Sequence, residues 1–220
     1  MNEYLLLKFL HVLAFVYWLG GDLGTFLSSR YVVRDDIGEE SRAIALKIML
    51  ACDQGPKSCM PLIFPIGLQM GQMMGITSLP GWLMGLVWLV ALIWSVNVQY
   101  LYFTDNQAAK ARVTQFDFAL RVAVIVAILG YAGGALAGAG WITADWMAWK
   151  MLVFAALVTC GLFIRVKLKP FVQAFGQMMA AGASPESNSA MQASLQQVRP
   201  WVWLIWLGLF VNAALGVHLI

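Results

Sequence analysis

Charge is scarce in this chain. Lys, Arg, Asp and Glu together make up 11% of its 220 residues, against about a quarter in a soluble globular domain. A polar shell cannot be drawn over the whole surface from so few groups, and a soluble fold is excluded on that ground. Histidine is scarcer still, with two residues, His11 and His218, and cysteine stops at three. Cys52, Cys59 and Cys160 match neither a zinc spacing nor a C-x-x-C pair. Cys52 and Cys59 fall in or beside a segment expected in the cytoplasm, where thiols stay reduced, so no disulfide is expected. There is no glycine-rich phosphate loop, no Ser/His/Asp set and no paired carboxylates, which removes the usual hydrolytic and phosphoryl-transfer chemistries.

Apolar residues are abundant, at 61% with a mean hydropathy of +0.75. Six stretches, at 4–27, 58–78, 82–103, 118–140, 146–165 and 200–220, reach the ~20 apolar residues that a spanning helix needs. They predict an all-α integral membrane protein: a six-helix transmembrane bundle forming a single domain over 1–220. The remaining residues leave no room for a soluble catalytic domain. Pro61 and Pro65 interrupt the second stretch, which membrane helices tolerate when neighbours satisfy the freed carbonyls. MNEYLLLK carries no cluster of positive charge and no A-x-A site follows, so the first span is expected to stay uncleaved.

Basic residues predict the orientation. Twelve of the fourteen lysines and arginines fall in 28–57, 104–121 and 165–199, while TSLPG and GWITADWMAW have none. The positive-inside rule then places both termini outside, an N-out/C-out, multi-pass protein of a bacterial-type inner (plasma) membrane. Trp82, Trp141, Trp146 and Trp149 fit an outer aromatic belt. The same bias explains the net charge of +3 without a nucleic-acid partner. The lipid bilayer is the expected partner, with another membrane subunit or further copies of the chain as protein partners. Within the cytoplasmic loop 28–57, EESRAIALKIMLAC reads as an amphipathic helix at or leading into the membrane. The small, polar run AAGASPESNSA suggests a flexible cytoplasmic linker within 170–199.

Ionisable residues inside spans are costly and point to function. At 100° per residue, Tyr4, His11, Trp18 and Asp22 share one face of the first span, which should therefore look into the bundle. His11 would lie roughly 10 Å below the outer boundary, and Asp22 near the cytoplasmic face. Lys8 and Lys150 sit toward the outer boundary, where they snorkel or hold anionic groups. With six spans, His218 returns to the same leaflet as His11. Imidazole is a common axial ligand for haem b held between helices, so His11 is the candidate iron ligand. His218 is a candidate second ligand or an interfacial anchor. Met60, Met70, Met73 and Met74 could suit Cu(I) but read as packing residues. Gly20 with Gly24, and Gly130, Gly134 and Gly138, have the spacing of close helix contacts.

The run KFLH (Lys8 to His11), followed by Trp18, Gly20, Gly21 and Arg30, resembles the first helix of HemJ-type protoporphyrinogen oxidases and CopD-type copper-resistance membrane proteins. WMAWKMLVFAAL, with Trp146 and Lys150, is similar to a later Trp-x-x-x-Lys run of the former. The resemblance implies His11 as haem ligand, with Lys8 or Lys150 near haem or substrate carboxylates. It implies electron transfer or porphyrinogen oxidation. Copper handling and a structural or assembly subunit of a larger membrane complex are the two competing expectations.

Overall fold

The computed structural model describes residues 2–220. Seven α-helices follow in order: α1 (Asn2–Val32), α2 (Glu39–Met73), α3 (Gly81–Phe103), α4 (Gln107–Gly134), α5 (Asp145–Lys167), α6 (Lys169–Ala181) and α7 (Pro185–Gly216). A π turn, Ala135–Ala139, extends α4. One isolated antiparallel bridge, Thr77 with Ile142, ties two turns at one end, and no strand occurs among the described residues.

Five helical stretches are long and apolar enough to cross a membrane: α1, α3, α4 with its π turn, α5 running on into α6, and α7. Their outward faces carry large exposed apolar side chains, among them Leu5, Phe9, Leu89, Val96, Val126 and Leu207. That surface suits lipid and would aggregate in water. The apolar half of α2 falls short on hydropathy because Pro61, Pro65, Gln69 and Gln72 interleave its hydrophobic residues.

Within the segment 28–57, the run EESRAIALKIMLAC is helical as expected, and it continues without a break into the apolar run that follows. α2 runs unbroken for 35 residues, from Glu39 through the apolar run, with Pro56, Pro61 and Pro65 inside it. A proline removes the bond to the carbonyl four residues back, here those of Cys52, Lys57 and Pro61. The Cys52 carbonyl faces α1, where a Cβ on Gly21 would stand 2.7 Å from it and 2.4 Å from Pro56 Cδ. A Cβ on Gly24 would meet Cys52 Sγ at 2.8 Å, and one on Gly55 the Tyr17 carbonyl at 3.1 Å. α1 and α2 thus form an antiparallel pair in near backbone contact, the most extensive helix pairing in the molecule. Gly20, singled out with Gly24 by its spacing, faces open space; Gly21 takes the role. Gly130 also faces open space, and Gly134 instead accommodates the Trp141 ring.

The region expected to be a flexible linker, 170–199, is α6 and the first half of α7. Pro170 lies in the first turn of α6, where its missing N–H costs nothing. Gly182 (φ 90°) turns the chain, and a reciprocal Ser184–Ser187 capping box starts α7. Met178 and Met191, buried with Val32, Met49 and Phe171, form a second small core beyond the end of the bundle. Arg42 is buried in it at 1% exposure. Its guanidinium donates to the Val32 carbonyl (2.8 Å) and the Asn188 side-chain oxygen (2.9 Å). The polarity that suggested a linker is used for caps and for these bonds.

Gly21→Ala should lower the thermal midpoint of the detergent-solubilised protein, with an overpacking cost of about 1–3 kcal/mol. Gly20→Ala, on an open face, should be neutral or slightly stabilising, and the pair of melting curves checks the seam directly.

Candidate functional site

The α1–α2 pairing decides where the polar stripe of α1 points. Tyr4 donates through its hydroxyl to Met74 Sδ (3.3 Å) at the far end of α2. Two turns on, the His11 imidazole lies against Gly67, where a Cβ would stand 2.9 Å from Cε1 and 3.4 Å from Nδ1. Trp18 is 1% exposed and meets Phe154 of α5 edge-on, with 6.2 Å between centroids. Its indole N–H approaches Asp22 one turn further along. The stripe therefore faces inward as its spacing predicts, with α2 as its main partner.

His11 Nδ1 is buried and has no hydrogen-bond partner. The Ile63 carbonyl approaches the ring, but no bond of ordinary geometry is made. A buried polar atom left without a partner costs about 1–3 kcal/mol. Among the charged groups near His11 is Lys150 of α5, within electrostatic range. Lys150 Nζ lies over the Trp146 ring at 5.8 Å and closes on the end of α7, where a Cβ on Gly216 would stand 2.6 Å from it. Lys8 is exposed.

His218 has a structural duty. It adopts a left-handed conformation (φ 56°) just past α7. Its N–H donates to the Leu215 carbonyl (3.3 Å) and that of Leu219 to Ala214 (2.9 Å), the two bonds of a Schellman cap. Its ring packs edge-on against Trp146 at 5.0 Å. Met73 and Met74 are exposed at the end of α2, outside the core that the packing expectation assigned them, while Met60 is buried. No three His, Cys, Asp or Glu residues converge as a metal site among the described residues.

A buried ion cluster escaped the sequence reading. Asp117 of α4, fully buried, accepts through Oδ2 from Arg121 Nε (2.9 Å) and pairs with Arg165 Nη1 of α5 (2.8 Å). The Arg121 guanidinium also lies over the Trp94 ring of α3 at 5.0 Å, and its Nη1 reaches Met60 Sδ at 3.5 Å. Positive-inside counting assigns Arg121 and Arg165 to cytoplasmic segments but says nothing of their partner; in the fold both converge on one buried carboxylate. The signal was present as D-x-x-x-R between Phe116 and Val122, a helical i,i+4 pair flanked by apolar residues. Nearby, the Gln54 amide donates to Gln99 Oε1 (3.1 Å), and Gln99 donates to Ser58 Oγ (2.8 Å). Asp53 pairs with Lys57 and lies within electrostatic range of both Asp22 and Arg121.

Fold and site together define an all-α bundle with five helical stretches long and apolar enough to cross a membrane and polar side chains gathered along its interior. No family model, no curated protein and no solved structure matches the chain.

Asp117→Asn should leave two guanidiniums without their shared counter-charge. The expected loss is about 3–5 kcal/mol of stability, the usual cost of breaking a buried ion pair. Arg165→Gln, which keeps the Asp117–Arg121 pair, should cost clearly less. Thermal unfolding of the two variants side by side reads the difference.

Proposed function

We propose that this protein is a multi-pass haem-b-binding redox protein of a bacterial-type inner membrane, in which His11 would hold the haem. The observation that carries the reading is the His11 imidazole, which has a buried Nδ1 with no partner and rests on the bare backbone of Gly67. Most buried polar atoms in a native fold are satisfied, and a coordinating role supplies what the protein itself does not. The residues present fit the group in two further respects. Lys150, drawn toward the same end of the bundle, is a cation of the kind that propionates require. The Ile63 carbonyl, close to the ring, is an acceptor of the kind that the second nitrogen of a ligating imidazole uses.

When bound, haem supplies one-electron oxidation and reduction at its iron. The chain's own contribution is to orient the His11 ring between α1 and α2 and hold positive charge at Lys150. His218 is engaged as a helix cap on Trp146, so we assign ligation to His11 alone. An iron with one protein ligand suits oxidation chemistry of the HemJ kind, and porphyrinogen oxidation is the reaction class this reading favours. Six crossings, counting the apolar half of α2, with both termini outside complete the topology.

Protein expressed with ample haem should show a Soret absorbance that His11→Ala abolishes and His218→Ala leaves in place. A colourless wild type, or an unchanged band in His11→Ala, would overturn the reading. The topology has its own check in a background lacking Cys52, Cys59 and Cys160. Single cysteines at Ser189 and Ser78, both exposed, should label from opposite sides of the membrane, Ser78→Cys from outside.

A further inference from the structure

At the end of the bundle that carries the second core, the last turn of α1 and the middle of α7 enclose a cleft of about 280 Å³. Three guanidiniums, Arg30, Arg34 and Arg199, line it together with Asp35, Gln192 and Gln196. The balance of charge is positive. Arg34 is engaged by Asp36, and that hydrogen bond holds the Asp36 carboxyl below its usual range, so the pair stays ionised at neutral pH. Arg30 and Arg199 form no ion pair with any carboxylate among the described residues. Arg30 instead lies over the Phe26 ring at 4.9 Å. Gln192 is fixed by donating to the Val33 carbonyl (3.3 Å), which joins the two walls of the cleft.

Depth bears on the identity of the ligand. Phe26 meets Trp206 edge-on at 5.2 Å. Arg199 is followed by Pro200, Trp201 and Trp203, and Trp201 stacks on Phe163 of α5 at 4.4 Å. Aromatic side chains at this density mark the level of a membrane–water interface. With Arg34 engaged by Asp36, and Asp35 the one carboxylate in the lining, Arg30 and Arg199 leave an excess of positive charge at this level that an anion would balance. The planar fork of a guanidinium matches the oxygens of a phosphate group, which it binds with charge-assisted hydrogen bonds. Basic clefts between membrane helices on the inner side are suited to lipid headgroups for the same reason.

We propose that the cleft between α1 and α7 is a binding site for a phosphate-bearing anion, held by Arg30 and Arg199. A phospholipid headgroup and a free phosphate share this chemistry. The site is independent of the haem reading, since none of its residues belongs to the His11 environment.

The test uses the full chain in nanodiscs of phosphatidylcholine, with or without phosphatidylglycerol, and in uncharged detergent with inorganic phosphate alone. Binding is read by thermal shift, and for the lipid also by retention in native mass spectrometry. Stabilisation and retention with phosphatidylglycerol alone would identify a headgroup site. Stabilisation by inorganic phosphate as well would identify a site open to soluble phosphate. In either case the Arg30→Gln/Arg199→Gln double variant should require at least about tenfold more ligand for the same shift. Arg199→Lys, which keeps the charge and loses the fork, should be intermediate and guards against a double variant that folds poorly. Lys110→Gln/Arg112→Gln, an equal loss of charge at exposed or partly exposed positions outside the cleft, should respond as wild type does. No shift with either ligand, or an undiminished shift in the Arg30/Arg199 variant, would overturn the proposal.

Discussion

Asp117 has no access to solvent, and two arginines from different helices depend on it. A guanidinium in an apolar interior is sustainable only with a counter-charge and hydrogen-bond acceptors. One carboxylate oxygen supplies the counter-charge for α4 and α5 together and accepts the hydrogen bond of Arg121, and Trp94 brings α3 against the Arg121 guanidinium. The arrangement constrains three helices at one depth. In lipid, where apolar surfaces gain little by preferring each other over the acyl chains, such polar contacts give the bundle a fixed register that Leu and Val packing alone would leave loose.

The other half of the molecule is held by the opposite device, the removal of side chains. Gly21, Gly24, Gly55 and Gly67 let α1 and α2 approach until carbonyls and side chains of one helix touch the backbone of the other. Three prolines in α2 free carbonyls along the same stretch, and a helix that close can cover them. The proximity also determines what surrounds His11, because a Cβ at Gly67 would occupy the space of its ring. The packing seam and the candidate site are therefore one feature.

The apolar helices were legible because transfer to lipid depends on composition summed over about twenty residues, and the inward stripe of α1 because helical period alone aligns Tyr4, His11 and Trp18. The ends of elements were less so. Glu39–Met73 reads as an amphipathic helix in a cytoplasmic loop followed by a separate span, yet it is one helix whose first half lays Ala45 and Met49 on the second core and buries Arg42 in it. Likewise SPES reads as a linker, while Ser184 and Ser187 are a helix start. Tertiary partners were least legible. Sequence supplies the charges of Arg121 and Arg165 but not the Asp117 carboxylate on which both converge. Nor does spacing reveal that His218 ends α7 in a conformation glycine usually takes.

That last point separates the two histidines, and the account depends on the separation. If His218 caps α7 while His11 alone faces an unmet need, the iron has a single imidazole. Electron paramagnetic resonance of the oxidised, haem-loaded protein reports this directly. A high-spin ferric signal, lost in His11→Ala, is the predicted result; a low-spin signal from two imidazoles, or no haem iron signal at all, would contradict it.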